Sequence, residues 1–94
     1  KFMLLMAKAS LELLEGDPKI ALEVMERGDI QSMYRQLGVN PALILQLAQA
    51  HCQKDNSKLQ QLEIQLQNAL NSTSLTIPRL YYQRFLTLCQ HWIR

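Results

Sequence analysis

The stretch that decides the fold is GDPKIALEVMERGDIQSMYRQLGVNP, residues 16–41. Two of its segments, Gly16-Asp17-Pro18 and Gly38-Val39-Asn40-Pro41, carry the same three signals in the same order. Glycine takes the left-handed conformation that ends a helix without steric cost. Asp or Asn caps the next helix, and proline is favoured at its first position. Each segment therefore predicts the end of one helix and the start of another.

Apolar residues between these segments recur at helical spacing. Ile20, Ala21, Val24 and Met25 form one stripe, which predicts a helix from Pro18 down to Gly28. Asp29 is predicted to cap a short helix that ends at Gly38. The pair Asn40-Pro41 predicts a further helix through about Gln53.

The same reasoning extends outward to both ends of the chain. Residues 2–15 are predicted to form the first helix, which Gly16 ends. After a polar turn at 55–57, regularly spaced leucines predict a helix up to about residue 70. Residues 71–77 are interpreted as a loop, and Pro78 is predicted to start a helix that runs to residue 94.

Composition agrees with a compact helical protein. Of 94 residues, 48% are apolar and 19% charged, with three Gly and three Pro, which argues against disorder. The abundant Leu, Gln, Glu, Lys, Ala and Met lose little rotamer freedom in a helix. We therefore predict an all-α fold of five to six short antiparallel helices in a single domain, residues 1–94. Its parts are a hairpin (1–28), a short helix (29–38), a hairpin (40–71) and a C-terminal helix (78–94).

A spacing of large and small residues resembles the tetratricopeptide repeat. Leu5 and Ala9 are followed by a turn and then by Ala21 and Met25, as in the two helices of that repeat. A second copy is laid on Gln46, Ala50, Leu62, Leu66 and Ala69, about 41 residues on rather than about 34. The resemblance covers residues 1 to about 70. It implies stacked hairpins whose concave groove grips a helix or peptide of another protein, as in scaffolds, adaptors and chaperones, and it implies no catalysis.

The two terminal helices are apolar around most of their circumference, so both sides must be covered. One interpretation is a closed bundle in which these helices pack on each other. The other is a surface that binds another protein or a second copy of the chain. The residues predicted to bind a partner are Tyr81, Tyr82, Phe85, Leu86 and Trp92, together with Phe2 and Leu5. Both interpretations stay open at the level of the sequence.

The alternative function is DNA binding, because residues 30–49 resemble a helix-turn-helix with Gly38 in its turn. Arg35, Asn40 and Gln46 would then contact DNA. However, Tyr34 stands where a small residue lets the helices cross, and the second helix offers no Arg or Lys to DNA. The net charge of +2, with both signs interleaved, also lacks a polybasic run. Nucleic acid is therefore the less favoured partner.

Residues with catalytic or metal-binding chemistry do not form a recognisable motif. No nucleophile beside a base, carboxylate pair or Gly-rich phosphate loop is present, so we predict neither an enzyme nor a cofactor. The pairs His51-Cys52 and Cys89/His91 carry zinc-ligand types, but adjacent residues on a helix point about 100° apart. No metal site is predicted.

The location is predicted to be cytoplasmic. The two cysteines are interpreted as reduced thiols, because two thiols far apart make no disulfide framework. The apolar run at residues 2–7 is too short to span a membrane and is interpreted as the start of a helix.

Overall fold

A computed structural model describes residue 12 and residues 15–93 of the chain. Within these residues the backbone forms five α-helices, and this confirms the all-α prediction. They are α1 (Pro18–Met25), α2 (Gly28–Gln36), α3 (Pro41–Gln53), α4 (Asn56–Ser72) and α5 (Thr76–Trp92). The helix predicted over residues 2–15 lies almost entirely outside the described residues. None of the described helices is long and apolar enough to cross a membrane.

Side-chain caps begin three of the helices. The Asp17 carboxylate accepts from the Lys19 and Ile20 amides at 3.0 and 3.3 Å. The Asn40 side chain accepts from the Ala42 amide at 3.0 Å, and prolines occupy the first positions of both α1 and α3. Asp55 caps α4 in the same way. The predicted helix starts at residues 18 and 41 are confirmed, because the caps satisfy amides that have no partner inside the helix.

Gly38 ends α2 in the left-handed conformation, with φ +87°. Its amide donates to the Arg35 carbonyl, and the Val39 amide donates to the Tyr34 carbonyl, which is the Schellman arrangement. A Cβ on Gly38 would lie 3.3 Å from Cγ of Pro78 in α5. Both the backbone conformation and the close approach of α5 therefore favour glycine at this position.

Lys54 ends α3 in the same conformation without being a glycine, with φ 55°. The Lys54 amide donates to the His51 carbonyl, and the Asp55 amide donates to the Ala50 carbonyl. These bonds reproduce the Schellman arrangement of Gly38. A Cβ at this φ is sterically unfavourable, so Lys54 holds a strained backbone.

The junction of α1 and α2 differs from the prediction. Helix α1 ends at Met25 rather than at Gly28, and α2 begins at Gly28 rather than after Asp29. The carboxylate of Asp29 is held by the Arg27 guanidinium at 3.1 and 2.8 Å and also accepts from the Ile30 amide. Asp29 therefore lies in the first turn of α2 and is not its cap.

The predicted loop at residues 71–77 is also shorter than expected. Helix α4 runs to Ser72 and α5 begins at Thr76, so the connection is 73–75. The guanidinium of Arg79 donates to the carbonyls of Leu70 and Thr73, at 2.9 Å each. Arg79 thus satisfies the end of α4, which has no glycine. Pro78 lies in the first turn of α5, where its missing N–H breaks no helical bond.

Helix α3 is central and packs against all four other helices. The most extensive helix pair is α4 with α5, which form an antiparallel hairpin. Tyr34 of α2 makes edge-to-face contacts with Phe85 and Tyr81 of α5, with ring centroids 5.9 and 6.2 Å apart. An ion pair between Glu15 and Arg84 also joins residue 15 to α5. Helix α5 therefore contacts α2, α3 and α4, and also Glu15, which precedes α1.

Candidate binding surface

The residues predicted to bind a partner occupy different environments. Tyr82, Phe85 and Leu86 are buried, with exposed fractions of 4, 0 and 3%. Tyr81 and Trp92 are half-buried against the core. The other two, Phe2 and Leu5, lie outside the described residues. In the described part of the chain, the aromatic face of α5 is therefore mostly internal.

Contacts within the chain explain this burial. The Tyr82 hydroxyl accepts a hydrogen bond from the Asn40 amide, and the Phe85 ring packs on Tyr34. Helix α5 is covered by α4 on one side and contacts α3 as well. Burial does not suit the predicted role of Tyr82, Phe85 and Leu86 as partner anchors. Their apolar character is accounted for by the core of the chain itself.

The large apolar side chains that remain exposed are different residues. Within the described residues they are Ile20, Ile64, Leu75, Ile77 and Leu80. The last three lie at the start of α5, and Ile64 lies on α4. Ile64 and Leu80 are each 64% exposed. Helix α4 and the first turns of α5 thus carry most of the exposed apolar surface described.

Two depressions lie between α4 and α5. One has a volume of about 240 Å³ and is lined by Glu63, Ile64, Gln67, Asn68 and Gln90. The other, of about 230 Å³, is lined by Leu70, Thr76, Arg79, Leu80 and Gln83. Thr76, Gln83 and Gln90 recur every seven residues, so they share one face of α5. The depressions therefore follow one another along a single groove, and the ten residues that line them are called the α4–α5 groove.

The α4–α5 groove has two charged residues among its ten. They are Glu63, which is half-buried, and Arg79, whose guanidinium is already bonded to two carbonyls. By contrast, the outer face of α1 exposes Lys19, Glu23 and, just after the helix, Glu26. Charged residues are depleted from the centres of protein interfaces, because desolvating them is costly. The remaining eight groove residues are uncharged amide, hydroxyl or apolar side chains.

Sequence reasoning missed the groove residues for an identifiable reason. Leu80 belongs to the all-round apolar pattern of α5, which does not distinguish inner from outer positions. Ile64 was identifiable, because it interrupts a polar face formed by Gln60, Gln61, Gln65 and their neighbours. A lone large apolar residue on a polar helix face is the one sequence signal that indicates the groove.

A third depression, of about 270 Å³, lies where α3 and α5 end and α4 begins. Its lining residues are His51, Lys54, Asn56, Leu59, His91 and Trp92. The rings of His51 and Trp92 stack with centroids 3.6 Å apart and an interplanar angle of 10°. Burial, and secondly the charge of Lys54, lower the pKa of His51 below its ordinary value. We call these six residues the histidine pocket.

The three residues predicted to contact DNA do not form one exposed surface. Arg35 is exposed, but the Asn40 side chain is used as the cap of α3 and Gln46 is half-buried. A recognition helix needs an exposed face that enters the major groove. In α3 the exposed residues are Ala42 and Gln53, because the helix packs on all its neighbours. The geometry of α3 does not favour base recognition.

The candidate zinc ligands, two cysteines and two histidines, do not form one metal site among the described residues. Cys89 is buried, and its thiol donates to the Leu59 carbonyl at 3.1 Å. Burial, with the nearby charge of Glu63, raises the pKa of the Cys89 thiol to about 11. Among residues 12 and 15–93, no three His, Cys, Asp or Glu side chains are grouped to hold a metal ion.

The structure describes only part of the pattern that resembles a tetratricopeptide repeat. Of its first copy, Ala21 and Met25 are buried in α1, whereas Leu5 and Ala9 lie outside the described residues. No protein-family model, curated protein or solved structure matches this chain. The resemblance therefore rests on the residue pattern alone.

Proposed function

We propose that this chain is a protein-interaction module whose α4–α5 groove receives the apolar face of a partner helix. The observation that carries the proposal is the pair Ile64 and Leu80, each 64% exposed, beside the two depressions of the α4–α5 groove. The partner is another protein or a second copy of the chain. In either case the module acts by binding, as a scaffold, adaptor or chaperone does.

The spacing of the groove suits a helical ligand. Gln83 and Gln90 line different depressions and are two turns apart on α5, which corresponds to about 10 Å along the helix. A helix lying along the groove presents its own residues i and i+7 at the same separation. An amphipathic partner helix therefore places one apolar side chain in each depression.

The chemistry of the groove suits the rim of such an interface. Gln67, Asn68, Gln83 and Gln90 each offer both a hydrogen-bond donor and an acceptor. These amides bind polar groups beside the apolar stripe without the desolvation cost of a charge. Full burial of an Ile or Leu side chain contributes about 1.5–3 kcal/mol. Removing both anchors is therefore expected to weaken binding by about a hundredfold or more.

The first experiment compares the oligomeric state of three proteins by multi-angle light scattering over a concentration series. They are the wild type, Leu80→Glu, and Ile20→Glu as a matched control on the charged α1. Self-binding predicts a dimer that Leu80→Glu dissociates and Ile20→Glu leaves intact. A dimer that survives Leu80→Glu contradicts binding through the groove.

If the wild type is monomeric, the partner is another protein, and the second experiment uses photo-crosslinking. A photoreactive amino acid at position 83 in the groove is compared with one at position 23 on α1. The proposal expects a protein captured from position 83 and not from position 23, with capture lost in Leu80→Glu. A monomer that gives no Leu80-dependent crosslink overturns the proposal.

A further inference from the structure

The histidine pocket concentrates basic groups at one end of the helical hairpin. His51 and Lys54 come from the end of α3, and His91 comes from the last turn of α5. The remaining lining residues are the polar Asn56 and the apolar Leu59 and Trp92. No carboxylate is among the six residues that line this described pocket. An anionic ligand would therefore meet only attractive or neutral side chains.

We propose that the histidine pocket binds a small organic phosphate. Lys54 and the two histidines hold the phosphate group, and Leu59 and Trp92 contact the organic part. The proposal is independent of the proposed protein-binding function, because the pocket and the α4–α5 groove share no residue.

The size of the pocket sets the class of ligand. Its volume of about 270 Å³ is just below the range of about 300–1,000 Å³ that holds drug-sized molecules. A phosphate group with one ring or a short apolar chain suits this space. The stacked rings of His51 and Trp92 form a rigid wall, so two lining residues are already oriented before a ligand binds.

The side-chain charges that line the pocket favour a bound anion. Burial and, secondly, the positive charge of Lys54 lower the pKa of His51, so the two groups repel when both are charged. The neighbouring carboxylate, Asp55, accepts a hydrogen bond from the Lys58 amide as the cap of α4 and does not line the pocket. A phosphate between Lys54, His51 and His91 replaces this repulsion by attraction. By linkage, a ligand that raises the affinity of His51 for a proton also binds more tightly when His51 is protonated.

The test uses phenyl phosphate as the probe and Trp92 as the reporter, since Trp92 is the one tryptophan of the chain. At pH 6 and constant ionic strength, phenyl phosphate is expected to change Trp92 fluorescence saturably in the millimolar range. Inorganic phosphate is expected to bind about tenfold more weakly, because it makes no contact with Leu59. The ring-proton NMR signals of His51 are expected to titrate at higher pH when phenyl phosphate is bound.

Variants decide whether the site is the one proposed. Lys54→Gln and His91→Gln are each expected to weaken binding about threefold to tenfold, as loss of a partly exposed charged contact does. Lys58→Gln removes the same charge four residues away, outside the pocket, and is expected to bind as the wild type does. Circular dichroism confirms that each variant is folded.

Three results overturn the proposal. The first is a fluorescence change that does not saturate or that chloride reproduces at equal ionic strength. The second is equal weakening by Lys54→Gln and Lys58→Gln, which would show general charge screening. The third is equal binding of inorganic and phenyl phosphate, which would show that the pocket does not contact the organic part of the ligand.

Discussion

The hydroxyl of Tyr82 accepts a hydrogen bond from the backbone amide of Asn40 at 2.8 Å. This bond joins α5 to the residue that caps α3. Tyr82→Phe removes the acceptor and leaves a partly buried amide without its partner, so the free energy of unfolding should fall by about 1–3 kcal/mol. Urea unfolding followed by circular dichroism measures the change. Tyr81→Phe is the matched control, and an equal loss in both variants would contradict the role of the Tyr82 hydroxyl.

Two positions on α5, Phe85 and Leu80, should respond very differently to truncation of their side chains. Phe85 is fully buried against Tyr34, so Phe85→Ala is expected to cost about 3–5 kcal/mol of stability. Leu80 is 64% exposed, so Leu80→Ala is expected to change stability by less than about 0.5 kcal/mol. Thermal and urea unfolding check both values. A large loss for Leu80→Ala would mean that the groove position is part of the core.

The left-handed backbone of Lys54 makes a stabilising substitution available. Lys54→Gly removes the unfavourable Cβ and is expected to stabilise the protein by about 1 kcal/mol. Lys54→Ala keeps the Cβ and should give no such gain. The comparison is made by urea unfolding at neutral pH without phosphate. Equal stability of the Gly and Ala variants would show that the backbone at residue 54 relaxes in solution.

The lowered pKa of His51 makes stability depend on pH. As pH falls, the unfolded chain takes up a proton at the ordinary pKa near 6.5, whereas folded His51 does so only at lower pH. The stability contributed by neutral His51 is therefore full above 6.5 and is lost as pH falls through the folded pKa. Denaturation at a series of pH values from 7.5 to about 5 should show a smaller loss for His51→Gln than for the wild type. An unchanged slope in His51→Gln would contradict the prediction.

The two cysteines should differ in reactivity. The Cys89 thiol is buried, bonded to the Leu59 carbonyl and has its pKa raised to about 11, so little thiolate forms near neutral pH. Cys52 is only half-buried, so a reagent can reach its sulfur more readily. Iodoacetamide at pH 8 should modify Cys52 in the native protein, and both cysteines only in urea. Peptide mass spectrometry locates the label, and native labelling of Cys89 would contradict its burial.

Local signals in the sequence predicted most of the helix boundaries. Asp17, Asn40 and Gly38 act within a few residues, so their effect does not depend on the rest of the fold. Boundaries set by longer contacts were missed. The end of α4 depends on the Arg79 guanidinium nine residues away. The start of α2 is a local case that was also missed, because the carboxylate of Asp29 is held by Arg27 only two residues away. Such interactions can be identified only once the side chains are placed in three dimensions.

The exposed side of α5 was harder to predict than the fold. The sequence pattern of α5 is apolar on nearly every side. Its aromatic residues were predicted to bind a partner because they are large. In the structure the large rings of Tyr82 and Phe85 are internal and the smaller Leu80 is exposed. Which side of such a helix faces out is decided by the neighbours that pack on it, here α4 and α3.

The close approach of Pro78 to Gly38 bears on how the chain can be divided. Together with the Tyr82–Asn40 bond, which spans 42 residues, it fixes the turn between α2 and α3 against the last helix. The short connection at 73–75 would look like a natural place to cut the protein. A fragment that stops there would leave Tyr34 and the α2–α3 turn without the surface that covers them. Cutting the chain at this connection is therefore expected to expose apolar surface on α2 and α3, far from the cut in sequence.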